Sequence, residues 1–512
     1  MPTSPSEPDS PPPPAAARAR ADLAVADLAV VGAGPAGLAA AVTAAGFGLR
    51  VTVLDAGERP GGQYYRRPAP GLGAARPEAL HHDWAAFADR EAALRAHESA
   101  GRITYLPGHH VWTVVRGGEG GGDRPGSGPG DRPGPTPAEG PGEGWILHAV
   151  TGHGPEERAA AVRARTVLLA TGAYERQLPF PGWTLPGVIG AGGAQAMLKA
   201  GLVLPGRRVV VAGSGPLLLA AAGSLAAAGA AVPAVVEAAA YTAYAGGLPV
   251  LLRNPGKLVE AAAYGGALLR HGVRLLTRHA VTEAHGADRV EAVTVARLDR
   301  DWRPLPGTSR RIPCDALAIG HGLVPQLELA TALGCATRAT ADGTVALALD
   351  GGQRTSVPGI WSAGETGGVG GARLALTEGE IAAHDIARRP VAAALTRRRA
   401  RLRAFAGAMA AAHRPGSGWT DWLRDDAVVC RCEEVPAGPV REAVRDLGAR
   451  DARTVKLLTR AGMGWCQGRM CGPATAALAG VEPAPDRRPL SCPVPLRLLA
   501  ELPPAELPPV AP

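Results

Sequence analysis

An apolar run at residues 28–31 ends in a cluster of glycines and reopens as an alanine-rich stretch reaching residue 45, and the same succession recurs from Arg208. Short apolar runs bounded by glycine and followed by ten or more small residues predict buried parallel strands feeding helices. A branched-residue pattern predicts further strands at 273–276, 289–298 and 311–319, and a glycine-rich segment at 359–371 leads into another helix. Apolar alternation at Val111, Trp112, Val114 and Val115 resumes at Trp145, Ile146 and Leu147. It predicts one hairpin whose loop, 117–144, is swollen by Gly, Pro, Asp, Glu and Arg, since lengthening a surface loop costs little free energy. Two whole strand, turn and helix units place the chain in the α/β class with two Rossmann-like dinucleotide-binding domains.

At 512 residues the chain exceeds what one hydrophobic core supports. The net charge of +8 is small for this length, and the one basic run, Arg397, Arg398, Arg399, Arg401 and Arg403, reads as a solvated helix face. With no recognisable binding motif beside it, no nucleic-acid partner is expected. The longest uncharged stretch, 209–236, contains four glycines and Pro233 and is better explained as strand, turn and helix than as a membrane span, so no transmembrane segment is predicted. The first residues lack the basic start and apolar middle of a signal peptide, which points to the cytoplasm. Of seven cysteines, four gather near the C-terminus, a pattern of a metal site and not of a disulfide framework.

In Asp27-Leu-Ala-Val-Val-Gly-Ala-Gly-Pro-Ala-Gly-Leu38 the strand runs into Gly32, Gly34 and Gly37. The first glycine allows the tight turn, the second lets the backbone meet a pyrophosphate, and the third lets helix and strand pack closely. Asp55 closes the next strand, where a carboxylate can receive an adenosine ribose. The second unit, Val209-Val-Val-Ala-Gly-Ser-Gly-Pro-Leu-Leu218, carries Gly213 and Gly215 but has Leu218 in place of the third glycine, and Glu237 closes its following strand. If that unit binds a dinucleotide, Glu237 favours NAD over NADP; the equal alternative is a fold that has lost or changed its ligand.

Thr166-Val-Leu-Leu-Ala-Thr-Gly172 resembles the strand and turn of two-dinucleotide-domain flavoproteins of the thioredoxin reductase type, and Pro60-Gly-Gly-Gln63 resembles their loop beside the flavin. Gly359-Ile-Trp-Ser-Ala-Gly-Glu365 is similar to their second FAD motif, with Glu365 where an Asp is usual. The resemblance implies FAD held by Gly32, Gly34, Gly37, Asp55, Gly62, Gln63, Thr171, Gly172, Gly364 and Glu365. No Cys-x-x-Cys pair is present, so dithiol chemistry is excluded; Cys314 and Cys335 read as core residues.

Cys430-Arg-Cys432 and Cys466-Gln-Gly-Arg-Met-Cys471 offer four thiolates in two pairs, with glycines at 462, 464, 468 and 472 that let backbone amides approach the sulfurs. Two irons taking two ligands each suit this set; structural zinc is the alternative, although its paired ligands usually stand two to four residues apart. Cys492 lies outside both pairs. The arrangement resembles the bacterioferritin-associated-ferredoxin-like [2Fe-2S] domain. Together with Leu178-Pro-Phe-Pro-Gly-Trp-Thr-Leu-Pro-Gly187, Gly320-His-Gly-Leu-Val-Pro325 and Thr459-Arg-Ala-Gly-Met-Gly464, it makes nearly the whole chain similar to the FAD subunits of heteromeric amino-acid dehydrogenases acting on hydroxyproline, opines or glycine.

That resemblance implies a discontinuous FAD-binding domain (25–189 and 311–395), an inserted NAD-like domain (190–310), a helical linker (396–424) and a small helical [2Fe-2S] domain (425–478). A disordered tail (1–24) and a proline-rich tail (479–512) flank them. It also implies an electron relay working beside an amino-acid-oxidase-like flavoprotein subunit, together with a small ferredoxin-like subunit. The other readings are a stand-alone NADH-dependent reductase and a non-redox nucleotide-binding scaffold. No catalytic residue is assigned, and His81-His82 and His109-His110 read as surface pairs.

Overall fold

The computed structural model describes residues 25–81, 83–117, 144–481 and 488–502. The tail expected at 1–24, nearly all of the 117–144 loop and most of the proline-rich tail lie outside the described residues. The strand Ala26–Val31 is central to a seven-stranded sheet, with Val51–Leu54 and then Ile103–Leu106 parallel on one side and Arg158–Leu169 parallel on the other. This long strand serves two neighbours in turn. Most of its length pairs antiparallel with Trp145–Thr151, itself paired with His109–Arg116, and its last residues pair parallel with Ile360–Ser362. The predicted hairpin is thus present, and the Gly117 amide donates to the Gly144 carbonyl at 2.8 Å where its described ends meet.

The helix Pro35–Gly46 crosses Ala372–Ile386 closely because both present small residues: a Cβ on Gly379 would stand 2.1 Å from the Ala36 carbonyl oxygen. The contact seats the glycine turn of the first unit against the 359–371 segment.

A second, all-parallel sheet runs in the order Arg274–Thr277, Ala234–Glu237, Val209–Gly213, Ala316–Gly320, Val188–Gly190. Beside it lie the antiparallel strands His279–His285, Ala292–Arg297 and Arg310–Pro313. The stretch expected as one strand at 311–319 is therefore two strands in two sheets. The chain turns at Asp315, whose carboxylate accepts the Arg207 and Arg208 amides at 3.1 and 2.8 Å. Ala316–Gly320 and Val188–Gly190 thus both lie in the sheet of the second glycine unit.

In the helix Ala393–Ala412 the arginine run is a solvated face at Arg397, Arg398 and Arg401, which are exposed, and departs from that reading at Arg399 and Arg403. Arg399 and Arg403 both pair with the fully buried Glu378, at 3.1 and 2.6 Å. Beyond it, Val428–Cys430, Val435–Pro436 and the helices Ala437–Arg445, Ala452–Thr459 and Gly472–Leu478 form the small C-terminal unit. Its core is continuous with Leu178, Leu298, Trp302, Trp419 and Trp422 of the preceding chain, and the Trp302 and Trp422 rings stack at 6.2 Å. Among the described residues no helix is long and apolar enough to cross a membrane.

Candidate functional site

The first glycine turn has a packed side and an open side. A Cβ on Gly32 would stand 2.4 Å from the Ala170 carbonyl oxygen and one on Gly37 would stand 1.8 Å from that of Gly32, whereas one on Gly34 meets nothing within 4 Å. The middle glycine therefore faces free space at the N-terminus of Pro35–Gly46, the place where a pyrophosphate is received. Asp55 accepts from the Ala33 amide and, at 2.6 Å, from Gly57. Burial raises its carboxyl above the ordinary range, although these two amides pull it back.

Of the remaining residues expected around FAD, Gly62 and Gly364 pack directly against this turn and its helix. Gly62, at φ +58°, passes Gly34 so closely that its Cβ would be 2.9 Å from the Gly34 Cα, and Gln63 follows it, accepting from Arg66 at 2.5 Å. Thr171 donates to the Gln326 carbonyl at 2.8 Å, and Gly172, at φ +81°, faces open space. Gly364 packs on Ala36, where its Cβ would lie 3.0 Å from that of the alanine. Glu365 turns back on its own segment, accepting the Gly370 and Gly371 amides at 2.6 and 3.0 Å. The sequence did not single out Glu378, whose carboxylate accepts the Gly364 amide at 3.2 Å and takes Arg403 through both oxygens. An acid within a helix that is otherwise buried was the available signal, because a buried charge needs a partner.

In the second unit, Gly213 packs on Gly320 and Gly215 faces open space. Glu237 is 2% exposed, and its oxygens accept the Gly215 and Ala239 amides at 3.0 and 2.9 Å. His413, which the sequence did not mark, lies over this acid, with its Nδ1 3.6 Å from a Glu237 oxygen and 3.0 Å from Ser214 Oγ.

The four C-terminal cysteines converge. Their thiols influence one another: Cys471 is the largest cause that holds Cys466 well below the ordinary thiol range, and Cys466 the largest cause that pushes Cys471 above it. Cys430 and Cys471 are buried and Cys432 is exposed. The Gly462 amide donates to Cys430 Sγ at 3.4 Å, and Gly464 lies so close to Cys432 that a Cβ would stand 2.2 Å from the cysteine's own. Among the described residues no group of three or more His, Cys, Asp and Glu is arranged around a single metal ion. A two-iron cluster takes its thiolates as two pairs, and the four cysteines, with the Gly462 amide directed at Cys430, fit that requirement. Cys314 and Cys335 are buried core thiols, both raised by burial.

Direct contacts join the cysteine-bearing unit to the preceding chain. Arg469, between Cys466 and Cys471, donates to Glu328 at 2.6 Å, and Trp183 donates to the Val428 carbonyl at 2.6 Å. His81 is half-buried: its ring stacks on Trp84 at 5.2 Å, and burial lowers its pKa to about 4. His82 lies outside the described residues.

Residues 26–379 match the pyridine nucleotide-disulphide oxidoreductase family, and residues 428–479 match the BFD-like [2Fe-2S] binding domain. Hydrogen cyanide synthase subunit HcnB of Pseudomonas aeruginosa is 34% identical over 461 residues, spanning 86% of this chain and 90% of that protein. An opine oxidase subunit of Rhizobium meliloti is 32% identical over 472 residues, spanning 88% and 92%. In fold, the chain is similar to L-proline dehydrogenase from P. horikoshii, with a TM-score of 0.61 at 21% identity, over 93% of this chain and 80% of that one. The C-terminal match answers the choice between a cluster and zinc in favour of the [2Fe-2S] cluster.

Proposed function

Because the chain belongs to the pyridine nucleotide-disulphide oxidoreductase family, is related over most of its length to HcnB and to an opine oxidase subunit, and carries a BFD-like [2Fe-2S] domain, we propose that it is the FAD- and [2Fe-2S]-containing relay subunit of a heteromeric amino-acid dehydrogenase. The substrate class is an amino acid or opine of the hydroxyproline, opine or glycine type. When bound, the flavin supplies conversion between two-electron and one-electron transfer, and the cluster carries single electrons.

What supports this reading is that the elements carrying the two sets of expected cofactor residues are tied together by direct contacts. Trp183 fastens the strand of Cys430 to the segment leading into the second sheet, and Arg469 fastens the other cysteine pair to Glu328. Gly32, Gly34, Gly37 and Asp55 hold the pyrophosphate and ribose of FAD, with Gly62, Gln63, Thr171, Gly172, Gly364 and Glu365 completing its binding. Cys430, Cys432, Cys466 and Cys471 ligate the cluster. The partners are an amino-acid-oxidase-like flavoprotein subunit, which oxidises the C–N bond, and a small ferredoxin-like subunit, with the whole assembly in the cytoplasm.

The test is turnover with and without the partner. Purified alone, the chain is expected not to oxidise hydroxyproline, proline, glycine or opines with a dye acceptor. Once an amino-acid-oxidase-like subunit is supplied, dye reduction should begin and the flavin absorbance of this chain should bleach. Amino-acid oxidation by the chain alone would place the catalytic centre here and overturn the relay reading.

A further inference from the structure

The chain carries two copies of one nucleotide-binding unit, and they differ in what covers the acid. In the first, Asp55 is partly exposed, its hydrogen bonds come from the Ala33 and Gly57 amides, and Gly34 opens onto free space. In the second, Glu237 is 2% exposed, Ser214 is 2% exposed and His413 is 8% exposed. The imidazole bridges the glycine turn and the acid: its Nδ1 is 3.0 Å from Ser214 Oγ and 3.6 Å from Glu237 Oε1, and its Nε2 is hydrogen-bonded to the Tyr244 hydroxyl. In a dinucleotide fold the space between turn and acid is where the adenosine ribose lies.

We propose that His413 is a specificity-determining residue: it fills the ribose position of the second fold and closes that fold to NAD, so that nicotinamide is not an electron donor at this chain. Gly213, Gly215 and Glu237 then serve as structural partners of His413 and not as cofactor ligands. Two further features agree. Leu218 is buried where the first unit has Gly37, so helix and strand cannot draw together as they do at Gly32. His413 also follows the helix Ala393–Ala412, which Arg399 and Arg403 anchor to the buried Glu378, so the ring is delivered by a fixed element and not by a free loop.

The experiment is calorimetric titration of the full FAD-loaded chain with NAD and, separately, ADP-ribose, each to about 1 mM, a range that detects affinities as weak as millimolar. The wild-type chain is expected to bind neither. His413→Ala, checked to retain its flavin and its melting temperature, should gain ADP-ribose affinity by about tenfold or more. That gain should disappear when Gly215→Val is added. Should His413→Ala lose its flavin, His413→Asn, which keeps a short hydrogen-bonding side chain towards Ser214, carries the same test. One-site binding of NAD by the wild-type chain, abolished by Gly215→Val, would overturn the proposal, and so would a folded His413 variant that binds no better than wild type. Failure of the relay reading would show as amino-acid oxidation by the isolated chain, which leaves these titrations unaffected.

Discussion

The indole Nε1 of Trp183 donates a 2.6 Å hydrogen bond to the carbonyl oxygen of Val428, two residues ahead of Cys430. Trp183 is buried within the 178–187 motif and stands 245 residues before its partner in the chain. Replacing it with Phe keeps an aromatic ring in place and removes the donor, leaving a carbonyl without its partner at a cost of about 1–3 kcal/mol. Trp183→Phe is therefore expected to release iron faster under chelator challenge while flavin content stays at the wild-type level. Equal iron-release rates would show that this bond does not position the Cys430 strand.

Cys466→Ser should abolish the cluster and leave FAD bound, because the thiols lie in a separate unit from the glycine turn of the first fold. Cys492→Ser is the control, since Cys492 stands outside the four converging sulfurs and burial pushes its thiol up to about 11. Iron analysis and flavin absorbance on the same samples decide the matter. Wild-type iron in the Cys466 variant, or loss of iron in the Cys492 variant, would reverse the ligand assignment.

The first glycine turn separates binding from folding. At Gly34 an added side chain meets no protein atom within 4 Å, whereas at Gly37 it would collide with the Gly32 carbonyl oxygen at 1.8 Å. Gly34→Val should consequently be soluble and folded but nearly free of flavin, because its branched side chain enters the space that the pyrophosphate needs. Gly37→Val should fail at folding, seen as insoluble expression or a collapsed melting transition. A Gly34 variant with one flavin per chain would remove the pyrophosphate from this turn.

Much of the fold was legible because its signals are local. The apolar run, glycine turn and small-residue helix of each unit mark themselves within about 20 residues, as the fingerprint requires. The grouping of Cys430, Cys432, Cys466 and Cys471 into two pairs was legible along the chain. What stayed hidden depends on distant partners. An apolar strand at 316–320 has the same pattern whichever sheet it joins, so the pattern alone does not assign it to the second sheet. Arg399 and Arg403 look like surface charge until Glu378, 21 and 25 residues away, is seen beneath them. His413 is a lone histidine in sequence, and its role emerges only when Ser214, Glu237 and Tyr244 are brought around it.

A last prediction concerns Lys199, on the helix Ala191–Gly201. Its Nζ donates to the Tyr64 carbonyl at 3.3 Å and lies 5.6 Å from the centre of the Tyr64 ring, beside the loop that holds Gly62 and Gln63. Burial disfavours the ammonium form and lowers Lys199 from an ordinary 10.5 to about 8. The unfolded chain keeps the ordinary value, so between these two pH values it binds more protons than the folded chain, and stability gains from this residue as pH rises through that window. Below pH 8 both states carry the charge and the burial penalty is felt in full. The chain has three lysines, Lys199, Lys257 and Lys456, so reductive methylation with a carbon-13 label should give three assignable side-chain signals. The signal removed by Lys199→Arg is expected to titrate with a midpoint near 8, with Lys257 and Lys456 as internal references. If all three signals move together across the same alkaline range, Lys199 is solvated and does not pack against Tyr64 in solution.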